Sequence, residues 1–212
     1  MEQNEHLINF LDKLSAETFP KGDTLGSFLW ANFDKDGYFI ANGASRWCVG
    51  HETWDFVLKF DRNWHKPVYC RSEAYHYETA KEYRVTQVLL PIQLEIVVNG
   101  IEIYRQTKFQ CDWSDLPAKT RHQMDKAYRN FTNEQTFHKI QRGFESTPAN
   151  RWIARCTQLY GKKFMRSLEK WTTDYHINDL HNGNIGLFNN RPIILDYAGY
   201  HGSDWSNSKV FS

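Results

Sequence analysis

The chain has 212 residues, 26 Lys and Arg against 25 Asp and Glu, 41% hydrophobic content and a formal charge of +1. That length supports one globular unit or two small lobes with a real core, while the near-neutral balance excludes a nucleic-acid binder held by phosphate contacts and a polybasic membrane anchor. Four cysteines, at positions 48, 70, 111 and 156, form no C-x-x-C pair and are too sparse for a disulfide scaffold; with no stretch near the ~20 apolar residues that span a bilayer and no cleavable leader in MEQNEHLINF, the expectation is a cytoplasmic protein with buried thiols.

The first element is a helix over residues 4–16, where Leu7, Ile8, Leu11 and Leu14 recur at helical spacing and Pro20-Lys21-Gly22 ends the pattern. Short β-rich runs follow at 38–41, 46–49, 54–60, 93–98 and 101–109. The last two flank Asn99-Gly100, the strongest short-range hairpin signal, because both residues tolerate positive φ. Between the third and fourth runs, Cys70 to Tyr83 lacks Gly and Pro and is rich in helix formers, so the order reads β-β-β-α-β-β.

Beyond Cys111-Asp112-Trp113 the character becomes helical. Leu116 to Phe131 is one candidate, and Pro148 to Trp171 is another, with Trp152, Ile153, Cys156, Leu159, Tyr160, Phe164 and Leu168 at a 3.6-residue period and Pro148 suited to a first turn. Two apolar runs, 185–188 and 192–195, read as a final small hairpin. The expected organisation is a helical extension over 1–36, a sheet-bearing lobe over 37–110 and a mainly helical lobe over 111–212.

Polar residues concentrate in Asp179-Leu180-His181-Asn182-Gly183-Asn184-Ile185 and, after the hairpin, in Ile194-Leu195-Asp196-Tyr197-Ala198-Gly199. A tight hairpin would return Asp196 beside Asn184, giving oxygen donors that suit Mg²⁺, which prefers carboxylate, amide and phosphate oxygens. Asp179 would then stand where an acceptor hydroxyl is oriented and its proton accepted. Other chemistries fit less well: His176 and His181, five apart, do not share a helical face as a zinc pair does, and Gly161-Lys162-Lys163 lacks the earlier glycine of a phosphate-cradling loop.

Asp179-x-x-x-x-Asn184 followed by an apolar strand and Asp196-x-x-Gly199 resembles the catalytic and metal-binding loops of the protein-kinase-like fold. The resemblance covers about Tyr38 to Gly199 and implies an α+β, two-lobed fold with a five-stranded antiparallel N-lobe sheet, one N-lobe helix and a reduced helical C-lobe. It places Lys59, in Val57-Leu58-Lys59, at the phosphate-contacting lysine and Glu73 at its ion-pair partner, with Glu78 the other candidate in that helix. It implies ATP and Mg²⁺ as cofactors, Asp179, Lys59 and His181 as catalytic residues, and Asn184 and Asp196 as metal ligands. Gly43, Ser45, Arg46, Lys59 and Glu73 would bind the nucleotide.

This sequence departs from that pattern in three places. The Gly-rich loop maps onto Ala41 to Arg46, where only Gly43 is glycine, so the side chains of Ser45 or Arg46 would supply contacts that backbone usually makes. Asn178 replaces the arginine common before the catalytic aspartate, and His181 stands where many Ser/Thr kinases carry lysine. Thirteen residues follow Gly199, too few for a full activation segment and substrate platform, a feature similar to small phage and bacterial kinase-like proteins with a truncated C-lobe. The expected function is a minimal serine/threonine kinase acting on a protein, with possible homodimerisation; the alternatives are a small-molecule kinase similar to aminoglycoside and choline kinases, or a non-catalytic binding protein.

Overall fold

The computed structural model describes residues 2–20, 24–108, 147–177, 180, 184–188 and 191–198. Among them it is an α+β protein with four α-helices and a five-stranded antiparallel sheet. The chain divides into two compact units, Met1–Ala74 with Pro91–Lys108 and Tyr75–Leu90 with the described residues of Phe109–Ser212. No described helix is long and apolar enough to cross a membrane.

In the first unit, helices α1 (Glu2–Ala16) and α2 (Thr24–Phe33) precede β1 (Tyr38–Asn42), β2 (Arg46–His51), β3 (Phe56–Asp61), β4 (Ile92–Val98) and β5 (Ile101–Thr107). The strands order as β1-β2-β3-β5-β4, every neighbouring pair antiparallel. The β4–β5 turn has φ of 51° at Asn99 and 80° at Gly100, the left-handed pair that a two-residue hairpin requires. Asn99 does further work there, because its side-chain amide donates to the carbonyls of Leu14 (3.1 Å), Ser15 (3.0 Å) and Glu17 (2.7 Å) and so closes the C-terminal end of α1.

Strand alternation gives the sheet two chemically different faces. On one, Trp47, Val49, Phe56, Leu58, Phe60, Ile101 and Ile103 are buried and join Phe10, Leu14, Leu25, Leu29 and Phe33 of α1 and α2 in a single apolar core. Residues 1–36, expected as a helical extension ahead of the sheet, supply six of the sixteen buried residues of this core. Helix α2 has no counterpart in the sequence reading, which assigned nothing between Gly22 and Tyr38. Its signal was the buried set Leu25, Gly26, Leu29 and Phe33, masked by the glycine and by apolar residues around most of the helix.

The opposite face is polar. Register pairs Arg46 with Asp61, Cys48 with Lys59, Lys59 with Tyr104 and Val57 with Gln106, so these side chains share one side of β2, β3 and β5. Helix α3 (Tyr69–Tyr83) starts against it. The buried Asp61 carboxylate accepts the N–H groups of Val68, Tyr69 (2.8 Å) and Cys70 (3.0 Å), donors that the first helical turn would otherwise leave unmade. A fork from Arg71 to Glu102 adds a second tie, with Arg71 Nε 2.8 Å from Oε2. This bond holds the Glu102 carboxyl below the usual carboxylate range.

In the second unit, the C-terminal half of α3 and a 3₁₀ turn (Thr86–Val88) accompany α4 (Thr147–Asp174) and the hairpin of β6 (Ile185–Phe188) and β7 (Arg191–Ile194). Trp152 Nε1 donates to the Ile193 carbonyl at 3.1 Å, and Trp171 Nε1 donates to Thr79 Oγ1 at 3.1 Å, so α4 is fixed to the hairpin at one end and to α3 at the other. The expected uninterrupted 3.6-residue stripe is corrected here. Gly161, at φ 81° and ψ 171°, is not helical and divides α4. Glycine takes that conformation without a Cβ penalty, and the buried stripe restarts after it at Met165, Leu168 and Trp171, leaving Leu159, expected inside, 42% exposed. The helix expected at 116–131 lies outside the described residues.

Asp61→Ala removes one acceptor for three backbone donors. We expect a loss of about 2–3 kcal/mol, read as a lower urea midpoint at unchanged slope.

Candidate active site

Glu73 is where the polar face of the sheet converges. One turn after the Asp61-capped start of α3, its side chain is 0% exposed, and a buried carboxylate is tolerated only when its oxygens are bonded. Arg46 Nη1 lies 2.5 Å from Oε2, Lys59 Nζ is 3.3 Å from each oxygen, and Gln106 Nε2 donates to Oε1 at 3.2 Å. The Arg46 and Lys59 side chains are themselves 11% and 13% exposed. Three strands thus contribute one donor each to one oxygen pair on α3.

Of the two glutamates considered as the lysine's partner, only Glu73 meets Lys59. Glu78 is exposed and pairs with Lys81 at 2.5 Å on the same helix. Gln106 and Asp61 were not singled out from sequence. The signal for Gln106 was its place in β5 on the same face as Lys59, while Asp61 caps a helix seven residues downstream, beyond the local spacing by which a cap is read.

Gly43 and Ser45 lie in the β1–β2 turn, and Arg46 opens β2. Gly43 N–H donates to the Arg46 carbonyl at 3.0 Å and Ser45 accepts from Arg62 N–H at 2.9 Å. A Cβ on Gly43 would meet nothing within 4 Å, and its φ is not positive, so neither space nor backbone strain calls for glycine there. The guanidinium of Arg46, considered from sequence as a phosphate contact, is committed to Glu73. Cys48, paired in register with Lys59, has its thiol pushed up by burial, a stronger effect than the lowering by the neighbouring Lys59 and Arg46. Burial likewise raises Cys70 and Cys156.

Two of the residues expected from sequence as metal ligands lie in the second unit, at the ends of the β6–β7 hairpin. Ile185 pairs with Ile194, and Leu195 N–H donates to the Asn184 carbonyl at 2.8 Å, so Asn184 and Asp196 stand at the same open end of the hairpin. Asp196 Oδ1 accepts Ala198 N–H at 3.3 Å, an Asx-type turn that directs the chain away from β7. Both residues are half-buried. Among the described residues no group of three or more His, Cys, Asp or Glu side chains gathers. The two described residues at that end offer one amide and one carboxylate, oxygen donors of the kind a hard cation takes together with waters and phosphate oxygens. Asp179 and His181, expected to be catalytic, lie outside the described residues.

The chain matches no family model, no curated protein and no solved structure.

Removing Glu73 takes away the acceptor that Arg46, Lys59 and Gln106 share, whereas removing Lys59 leaves Glu73 with Arg46 and Gln106. Glu73→Ala is expected to cost about 3–5 kcal/mol and Lys59→Met about 1–2 kcal/mol, an asymmetry that paired chemical denaturation curves measure.

Proposed function

We propose that this chain is an ATP- and Mg²⁺-dependent phosphotransferase of the protein-kinase-like, two-lobed class, acting on a serine or threonine hydroxyl. The observation that carries the reading is the ion pair between a lysine of the third strand and a glutamate of the following helix, the carboxylate fully buried and each N–O distance 3.3 Å. A bare structural lysine gains little from such burial, since taking both charges out of water offsets much of their attraction. A lysine held at a fixed place is what the α- and β-phosphates of a nucleotide need. The pairing of Asn184 and Asp196 at one hairpin end supports the same reading.

In this account Lys59 binds nucleotide phosphate, Glu73 holds Lys59 in place, Gln106 fixes the Glu73 carboxylate, and Arg46 completes the charge balance around it. Asn184 and Asp196 hold Mg²⁺, which when bound neutralises charge on the phosphate oxygens. Asp179 orients the acceptor hydroxyl. As the bond from the γ-phosphorus to the departing ADP oxygen breaks, the bond to the acceptor oxygen forms and the hydroxyl proton passes to the Asp179 carboxylate. Most of the acceleration comes from positioning and charge stabilisation.

Incubation with labelled ATP and Mg²⁺ tests the reading. The native chain is expected to label itself or an added protein, Asp196→Asn to abolish labelling, and Asp179→Ala to lower turnover by ~10²–10⁴-fold with nucleotide binding retained. Labelling of small hydroxylated metabolites alone would move the assignment to a small-molecule kinase. No thermal shift with ATP and Mg²⁺ and no labelling would overturn the enzyme reading in favour of a binding protein.

Gly43→Ala separates ligand approach from folding. It is expected to leave the melting temperature unchanged while weakening ATP affinity, because a methyl group there meets only an incoming phosphate. Unchanged affinity in a titration would remove the β1–β2 turn from the nucleotide site.

A further inference from the structure

Asp196 is followed by Tyr197, whose surroundings suit a fixed anchor better than a loop residue. Tyr197 is 0% exposed. Its hydroxyl donates to the Leu90 carbonyl at 2.6 Å, and its ring is tilted against Trp171 with centroids 6.2 Å apart. Its backbone carbonyl lies 2.8 Å from Nδ1 of His76, a residue of α3 that is also 0% exposed. A carbonyl can only accept, so His76 carries a proton on Nδ1 and donates it to Tyr197.

His76 is braced in turn. The Thr79 hydroxyl donates to the His76 carbonyl at 3.0 Å and accepts from Trp171 Nε1, and the Trp171 ring stands edge-on to the imidazole at 86°. A parallel bridge between Leu89 and Ile194 fixes the strand end just before Asp196. The peptide carrying Asp196 is therefore held on its N-terminal side by β7 and on its C-terminal side by an imidazole.

We propose that His76 is a positioning residue for Asp196. By holding the carbonyl of the next residue, it sets the orientation of the peptide from which the metal-binding carboxylate projects. This rests on the phosphotransferase reading, in which Asp196 holds the cation. Outer hydrogen bonds of this kind affect metal affinity by about 10–100-fold when lost. Nothing in the sequence marked His76, because its partner lies 121 residues away and is a backbone carbonyl.

Two polar substitutions separate positioning from packing. In His76→Asn the amide N–H takes the place of the Nδ1 donor, and in His76→Gln it takes the place of Nε2 and leaves the Tyr197 carbonyl unbonded. Mn²⁺ binding to the full chain with ADP present, followed by electron paramagnetic resonance, reads the metal site without turnover. His76→Asn is expected to bind Mn²⁺ as the native chain does, and His76→Gln about 10-fold more weakly with metal-free ADP affinity unchanged. Equal Mn²⁺ affinity in the two variants, or equal weakening in both, overturns the positioning role while leaving the phosphotransferase reading standing. Native protein that binds Mn²⁺ no better than Asp196→Asn overturns the metal assignment itself, and the role of His76 with it.

Discussion

One buried carboxylate organises the first unit. Glu73 has no solvent to stabilise its charge, so its place on α3 is defensible only while Arg46, Lys59 and Gln106 reach it together. Those donors come from β2, β3 and β5, and the distance of one strand from the next sets where each arrives. The requirement propagates backwards. Asp61 must cap α3 so that Glu73 comes one turn later, and Arg71 must meet Glu102 so that this end of the helix stays tied to β5. The unequal distances, 2.5 Å for Arg46 and 3.3 Å for Lys59, fit the chemistry of the two cations. A planar guanidinium makes the closer charge-assisted bond, and the ammonium is the more loosely held group.

Much of this was legible from residue order, and the limits of legibility have physical causes. Alternating apolar runs and Asn99-Gly100 defined the strands because these are signals of period two and of positive φ, both local. Helix α3 was legible from an absence of breakers. The choice of Glu73 over Glu78 followed from which face of that helix each occupies, and Glu78 is exposed. Three features were not legible. Helix α2 lacks an amphipathic pattern, Gly161 interrupts a periodicity that continues convincingly on paper, and Gln106 and Asp61 act through contacts 33 and 7 residues away. Periodicity sees neighbours along one element, and the contacts of Gln106 and Asp61 run from a strand to a helix.

The second unit fixes its hairpin by a different device. The Asn184 to Asp196 hairpin is short, and a two-stranded ribbon alone is marginally stable. Here Trp152 reaches the hairpin's own Ile193 carbonyl, and the chain just after β7 is tied down by His76 on the Tyr197 carbonyl and by the Tyr197 hydroxyl on the Leu90 carbonyl. Indole and phenol each bring a large apolar body and one polar tip, so a buried Trp or Tyr can satisfy a carbonyl from within the core.

The first 33 residues have a consequence for modularity. Helices α1 and α2 cover the apolar side of the sheet, and Asn99 of the β4–β5 turn closes α1, so the hairpin and the helix each complete the other. A sheet cut free at Tyr38 would present Trp47, Phe56, Leu58 and Phe60 to water as one sticky surface. Recombination or gene trimming that borrowed only the strands and α3 would therefore inherit the chemistry of Glu73 together with a tendency to aggregate. A portable piece of this sheet has to carry α1 and α2 with it.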